Sequence, residues 1–128
     1  MDNLEQIFHI WQVLYAKDQD PKLVIEEFFH EDYTQSINGI ILNRVEYIRH
    51  VIEQRKNIQT MEFECKIHMS QNDKLFILYD AKGTNTESDE IIAEVISYFE
   101  FNDQKIFKIH GQVYLLKGNP SDVDMSQE

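Results

Sequence analysis

The feature that most constrains this chain is a change of hydrophobic period beyond Asn57. Phe63, Cys65, Ile67 and Met69 alternate there with Glu62, Glu64, Lys66 and His68, and a period of two is strand geometry. Three more strand-like runs follow, Lys74 to Thr84, Ile91 to Phe101 and Lys105 to Leu116. They are separated by Gln71-Asn72-Asp73, Asn85 to Asp89 and Asn102-Asp103-Gln104. Connections this short join antiparallel neighbours. The second half of the chain is therefore committed to a sheet of four long strands.

Ahead of the switch the period is helical. Residues 3–17 place Leu4, Ile7, Phe8, Trp11, Leu14 and Tyr15 on one face, and Asp2 with Glu5 forms a capping-box signature. Asp20 caps a second, shorter helix that begins at Pro21, with Leu23, Val24 and Phe28 as its apolar side. Tyr33 to Ile37 reads as a short strand, Asn38-Gly39 as a turn and Ile40 to Leu42 as a paired stub. Asn43 caps a third helix with Glu46 as its box partner; its expected core face is Val45, Ile48, Val51 and Ile52, fading near Asn57. Helices at the front and strands at the back specify an α+β fold in which one strongly bent sheet is partly closed by the helices. A single domain over 1–117 is expected, followed by a disordered tail over 118–128 that lacks apolar periodicity.

Charge narrows the function classes. A net charge of −11 and a pI near 4.8, with no basic run longer than Arg55-Lys56, argue against nucleic acid or an anionic membrane surface as a partner. No apolar stretch approaches a membrane span, and MDNLEQIF lacks the basic region and apolar run of a signal peptide, so a soluble cytoplasmic protein is expected. The single Cys65 excludes an intrachain disulfide and a multi-thiolate zinc site, and no His or carboxylate cluster has ligand spacing; no metal is expected.

Three stretches carry a resemblance over residues 4–116: FFHEDYTQSINGIILNRVEYIRHV, AKGTNT and YFEFNDQKIFKIHGQVY. In this order and spacing the chain resembles the SnoaL-like branch of the nuclear transport factor 2-like superfamily. The resemblance implies a cone: three N-terminal helices on a strongly curved, mainly antiparallel sheet, with a pocket between the two layers. The superfamily includes polyketide cyclases, ketosteroid isomerases and dehydratases, together with members that only bind. The ketosteroid isomerase residues are not matched here. The base position falls at Ile37 or Ser36, the oxyanion-hole tyrosine near Ile10 and the second acid near Ser97. The acid that SnoaL-type cyclases carry near the end of the last strand meets Gln112-Val113-Tyr114.

Among the histidines, helical geometry turns His9 and His50 away from their apolar faces, His30 closes the second helix, and His68 shares parity with charged residues. His110 has two readings. Its own strand pattern assigns it to solvent, because Phe107, Ile109, Val113 and Leu115 form the apolar set. The resemblance instead turns His110, Gln112 and Tyr114 into the pocket and leaves that apolar set on the outer face, which would then be hidden in a sheet-to-sheet homodimer. Tyr33 and Gln35 share a strand face and offer hydrogen bonds at the pocket wall, or Tyr33 is a core aromatic with its hydroxyl at the rim. Trp11 and Tyr15 are core or pocket wall, and Ser97 is a small polar contact. The leading expectation is binding of a small, largely apolar molecule without a cofactor. If chemistry occurs, it is an isomerisation, dehydration or cyclisation with His110 as acid–base group and Tyr33 or Tyr114 orienting the substrate. The alternative is a non-catalytic homodimeric interaction or scaffold module.

Overall fold

A computed structural model describes residues 2–118. The order is α1 (Asn3–Leu14), α2 (Pro21–Phe28), β1 (Phe29–Ile37), β2 (Ile40–Asn43), α3 (Arg44–Arg55), β3 (Ile58–Gln71), β4 (Lys74–Asn85), β5 (Glu90–Asn102) and β6 (Lys105–Lys117). The six strands form one sheet in the order β2-β1-β6-β5-β4-β3. Every neighbouring pair is antiparallel except β1 with β6, which run parallel. The sheet is curved, and the three helices lie against its concave face. The expected disorder of the tail concerns residues that, from 119 on, lie outside those described.

Local chemistry sets the element ends. Asp2 and Asn43 accept from the backbone N–H three residues on, and Glu5 and Glu46 reach back to the cap, closing both capping boxes. Asp20 accepts from the Lys22 N–H ahead of Pro21. Asn38 and Gly39 both have positive φ, as do Asp103 and Gln104, giving two tight hairpin turns of the kind that matches strand twist. Asn85 Oδ1 accepts from the Glu87 and Asp89 N–H groups and organises the β4–β5 turn.

Four expectations are corrected. Helix α1 ends at Leu14, not residue 17. Leu23 of α2 is exposed; Val24 is buried as expected, and Ile25 is buried beside it. Helix α3 is turned relative to its apolar set: Tyr47, His50 and Val51 are buried while Val45 is 63% exposed. The aromatic area of Tyr47, packed on Phe29 and Tyr33, outweighs the smaller aliphatic side chains. The buried His50 thus replaces the solvated one anticipated. Finally, β3 carries a bulge between Cys65 and Ile67. Before it Phe63 and Cys65 face inward; after it Ile67 and Met69 join the convex face, opposite Leu78 and Phe76. An extra residue inverts the parity of everything beyond it. The extra residue, Lys66, sits on the convex side between Asp80 at 3.0 Å and Glu94 at 2.8 Å.

Candidate functional site

The concave face of the central strands carries large residues at one end and small ones at the other. Leu75, Ile77, Phe99, Phe101 and Ile106 fill one end against α1 and α2. At the other end the facing residues are small: Ala81 opposite Ala93, Val95 opposite Val113 and Ser97 opposite Gly111. Side chains this small cannot reach the helices, and a cavity of about 110 Å³ remains. Helix α1 supplies Trp11 and Tyr15 to its wall, α3 supplies Tyr47 and Gln54, and β1 supplies Gln35 and Ile37. Met61 and Phe63 of β3 and Tyr79 of β4 complete the aromatic side.

Among the described residues, no Asp, Glu, His, Lys or Arg lines this cavity. Its polar atoms belong to tyrosines, amides, an indole and one hydroxyl. Burial pushes the Tyr15 phenol up to about 12, with the Arg55 guanidinium opposing. Burial also holds Tyr33, Tyr47 and Tyr79 well above the usual phenol range, the Trp11 N–H opposing at Tyr79. At neutral pH the cavity is lined by uncharged groups.

The hydrogen bonds around it are short. The Tyr15 hydroxyl donates to Gln54 Oε1 at 2.9 Å. The Tyr33 hydroxyl donates to Gln35 Oε1 at 2.7 Å, both residues being buried on the same face of β1. That leaves Gln35 Nε2, on a side chain 3% exposed, without a hydrogen-bond partner among the described residues. Trp11 Nε1, on a side chain 7% exposed, lies near the Tyr79 hydroxyl but makes no hydrogen bond of normal geometry. Arg55 donates to the Ala16 and Gln19 carbonyls and fastens the end of α3 to the α1–α2 connection below the cavity.

The residues anticipated from sequence divide into three groups. Trp11, Tyr15, Gln35 and Ser97 meet at the cavity. Tyr33 lies behind Gln35, in contact with Phe29 and Tyr47, and is not part of the wall. His110, Gln112 and Tyr114 are exposed on the convex face, paired with Tyr98, Ile96 and Glu94. The inward turn expected of His110 is therefore corrected: Ile109 and Val113 take the concave parity, as the strand's own pattern had it. Sequence reasoning missed Tyr47, Gln54 and Tyr79. Tyr47, His50, Val51 and Gln54 fall at i, i+3, i+4 and i+7, a helical stripe obscured by the aliphatic one beside it.

Among solved structures, a loop-truncation variant of IdmH superposes with a TM-score of 0.71 at 11% identity, covering 88% of this chain and 92% of its own. A candidate SnoaL-like polyketide cyclase from Jannaschia sp. CCS1 gives 0.64 at 10% identity, covering 85% of each chain. A protein of ketosteroid isomerase-like fold from Catenulispora acidiphila DSM 44928, solved with trimethylamine, gives 0.66 at 12% identity, covering 83% of each. The chain has the SnoaL-like, nuclear transport factor 2-like fold. No protein-family model and no curated protein matches the sequence. In this cone fold the concave side is an enclosed wall on the sheet and a lid of helices, and here the hollow lies between Trp11 on the lid and Ser97 on the sheet. Among the described residues no helix is long and apolar enough to cross a membrane.

Proposed function

We propose that this protein binds a small, largely apolar, uncharged molecule in the cone cavity. The observation that carries the reading is a hollow walled by aromatic and aliphatic side chains with no ionisable group other than tyrosines of raised pKa. Burying a charged ligand there would cost far more than its contacts return. The volume favours a ligand of about one ring, since drug-sized sites run to roughly 300–1,000 Å³. This is smaller than the polyketide-like ligand the resemblance suggests. With His110 on the convex face and no carboxylate in the wall, general acid–base catalysis lacks a group poised near neutral pH, so binding is favoured over proton transfer.

Filling the hollow tests this. Ala93→Leu places added bulk in the wall, and a panel of single-ring compounds should raise the melting temperature of the wild type but not of the variant. A wild type indifferent to the whole panel would remove the proposal.

A second reading, a homodimeric interaction module, is favoured by the convex face. Met69, 73% exposed, stands opposite Phe76, 52% exposed, and Ile67, Leu78, Ile96 and Tyr98 continue the patch across β3, β4 and β5. Such a continuous apolar surface suits association of two sheets. Sedimentation should show a dimer that Ile96→Lys dissociates; a wild type monomeric at high concentration rejects it.

A further inference from the structure

We infer that the cavity recognises its ligand through an oxygen that only accepts hydrogen bonds, a carbonyl or ether oxygen, held by the Gln35 amide N–H, and that Tyr33 sets this preference from behind. The inference rests on the cavity being a ligand site. A primary amide is ambivalent, with an acceptor oxygen and a donor nitrogen of nearly equal shape. Tyr33 biases the choice, because with the amide reversed its phenol could still accept from Nε2 but its own proton would lose Gln35 Oε1 as acceptor. Its buried phenol keeps its proton throughout the physiological range and donates to Gln35 Oε1 at 2.7 Å. The oxygen is thereby committed to Tyr33, and the nitrogen is left to the cavity wall without a partner among the described residues.

An acceptor placed in the hollow would complete the Gln35 donor, and an analogue lacking that oxygen would leave the donor unpaired in the complex. Trp11 adds a second donor without a well-formed bond to the same wall. Two N–H groups disfavour a cation among the aromatic rings, while the lack of any lysine or arginine in the wall disfavours an anion. A neutral acceptor of about one ring satisfies both conditions. An engineered apolar cavity of about 150 Å³ admits benzene, which sets the scale. Gln35 is thus the specificity-determining residue and Tyr33 a positioning residue.

The test uses three shape-matched probes and one cation: cyclohexanone, methylenecyclohexane, cyclohexanol and tetramethylammonium. Trp11 is the only tryptophan, so its indole N–H resonance and its fluorescence report occupancy without labelling a mutant. The wild type should bind cyclohexanone about fivefold more tightly than methylenecyclohexane. Gln35→Met should bring that ratio to about one. Tyr33→Phe frees the amide to turn, so cyclohexanol should gain on cyclohexanone; a merely structural Tyr33 would weaken all probes alike. Equal binding of ketone and hydrocarbon by the wild type overturns the inference but keeps the cavity as a binding site, as does preference for tetramethylammonium. Failure of every probe to bind overturns both.

Discussion

Gly111 on β6 stands directly opposite Ser97 on β5, and no methyl group fits between them. A Cβ on Gly111 would lie 2.4 Å from Ser97 Oγ and 3.0 Å from the Ile96 carbonyl oxygen. The hydroxyl can rotate away, but the carbonyl belongs to the sheet. Gly111→Ala should therefore destabilise the fold by about 1–3 kcal/mol. Adding Ser97→Ala should recover part of the loss, leaving the share owed to the backbone. Urea denaturation of the two single variants and the double variant measures this coupling; strict additivity would contradict it.

Gly83 faces a harder obstacle. A Cβ there would meet the Thr60 carbonyl oxygen at 2.0 Å, a main-chain atom of β3. No rotamer relieves that contact, so the edge strand must move. We expect Gly83→Ala to cost more than Gly111→Ala, about 3 kcal/mol or more. Amide exchange should quicken first in the β3–β4 ladder between the Ile58–Asn85 and Met61–Gly83 pairs; unchanged protection there would refute the account.

Alkaline pH should loosen the cavity end of the molecule. An unfolded phenol ionises near 10, whereas Tyr15 is pushed up to about 12 and Tyr33, Tyr47 and Tyr79 are raised as well. Between those limits the native state keeps protons that the unfolded chain has lost, so stability falls as pH rises. Each such group contributes about 1.4 kcal/mol per pH unit over its own window. Stability from these groups is complete below pH 10 and declines above it. Phenolate absorbance of the cavity tyrosines should appear together with the loss of far-ultraviolet circular dichroism, and ionisation well before unfolding would contradict the burial argument.

His110→Ala should do little. The imidazole is exposed on the convex side, and substitutions of that kind stay within about 0.5 kcal/mol. Its removal should leave ligand-induced changes in Trp11 fluorescence intact. A lost response would mean that the last strand presents its other face to the hollow.

Much of the fold was legible in the residues. The switch of period, the two capping boxes and the turns at Asn38-Gly39 and Asp103-Gln104 are local devices, and local devices survive in sequence. Helix phase was less legible, because Val45, Ile48, Val51 and Ile52 form a competing stripe whose burial only Tyr47's neighbours could decide. The bulge at Lys66 left no mark either: an inserted position looks like any other alternating residue until its partner strand is known. For the site, parity and helical spacing put Trp11, Tyr15, Gln35 and Ser97 on inner faces, and the resemblance to a cone fold made those faces a pocket wall. The hollow itself could not, since it arises from small side chains meeting across strands, Ala81 with Ala93 and Ser97 with Gly111. The histidine on the last strand shows the opposite lesson. Its own alternation pattern gave the observed orientation, and the analogy did not.

The parallel pairing of β1 with β6 has a consequence for synthesis. The ribosome delivers Phe29–Ile37 well before its pairing partner Lys105–Lys117. Until then the early segment has only its short hairpin mate, and the wall bearing Gln35 has no sheet to join. Contacts so distant in sequence are slow to form. Nascent chains stalled before Lys105 should therefore be recognised by chaperones as open, and the hollow should come into being only once Lys105–Lys117 has emerged.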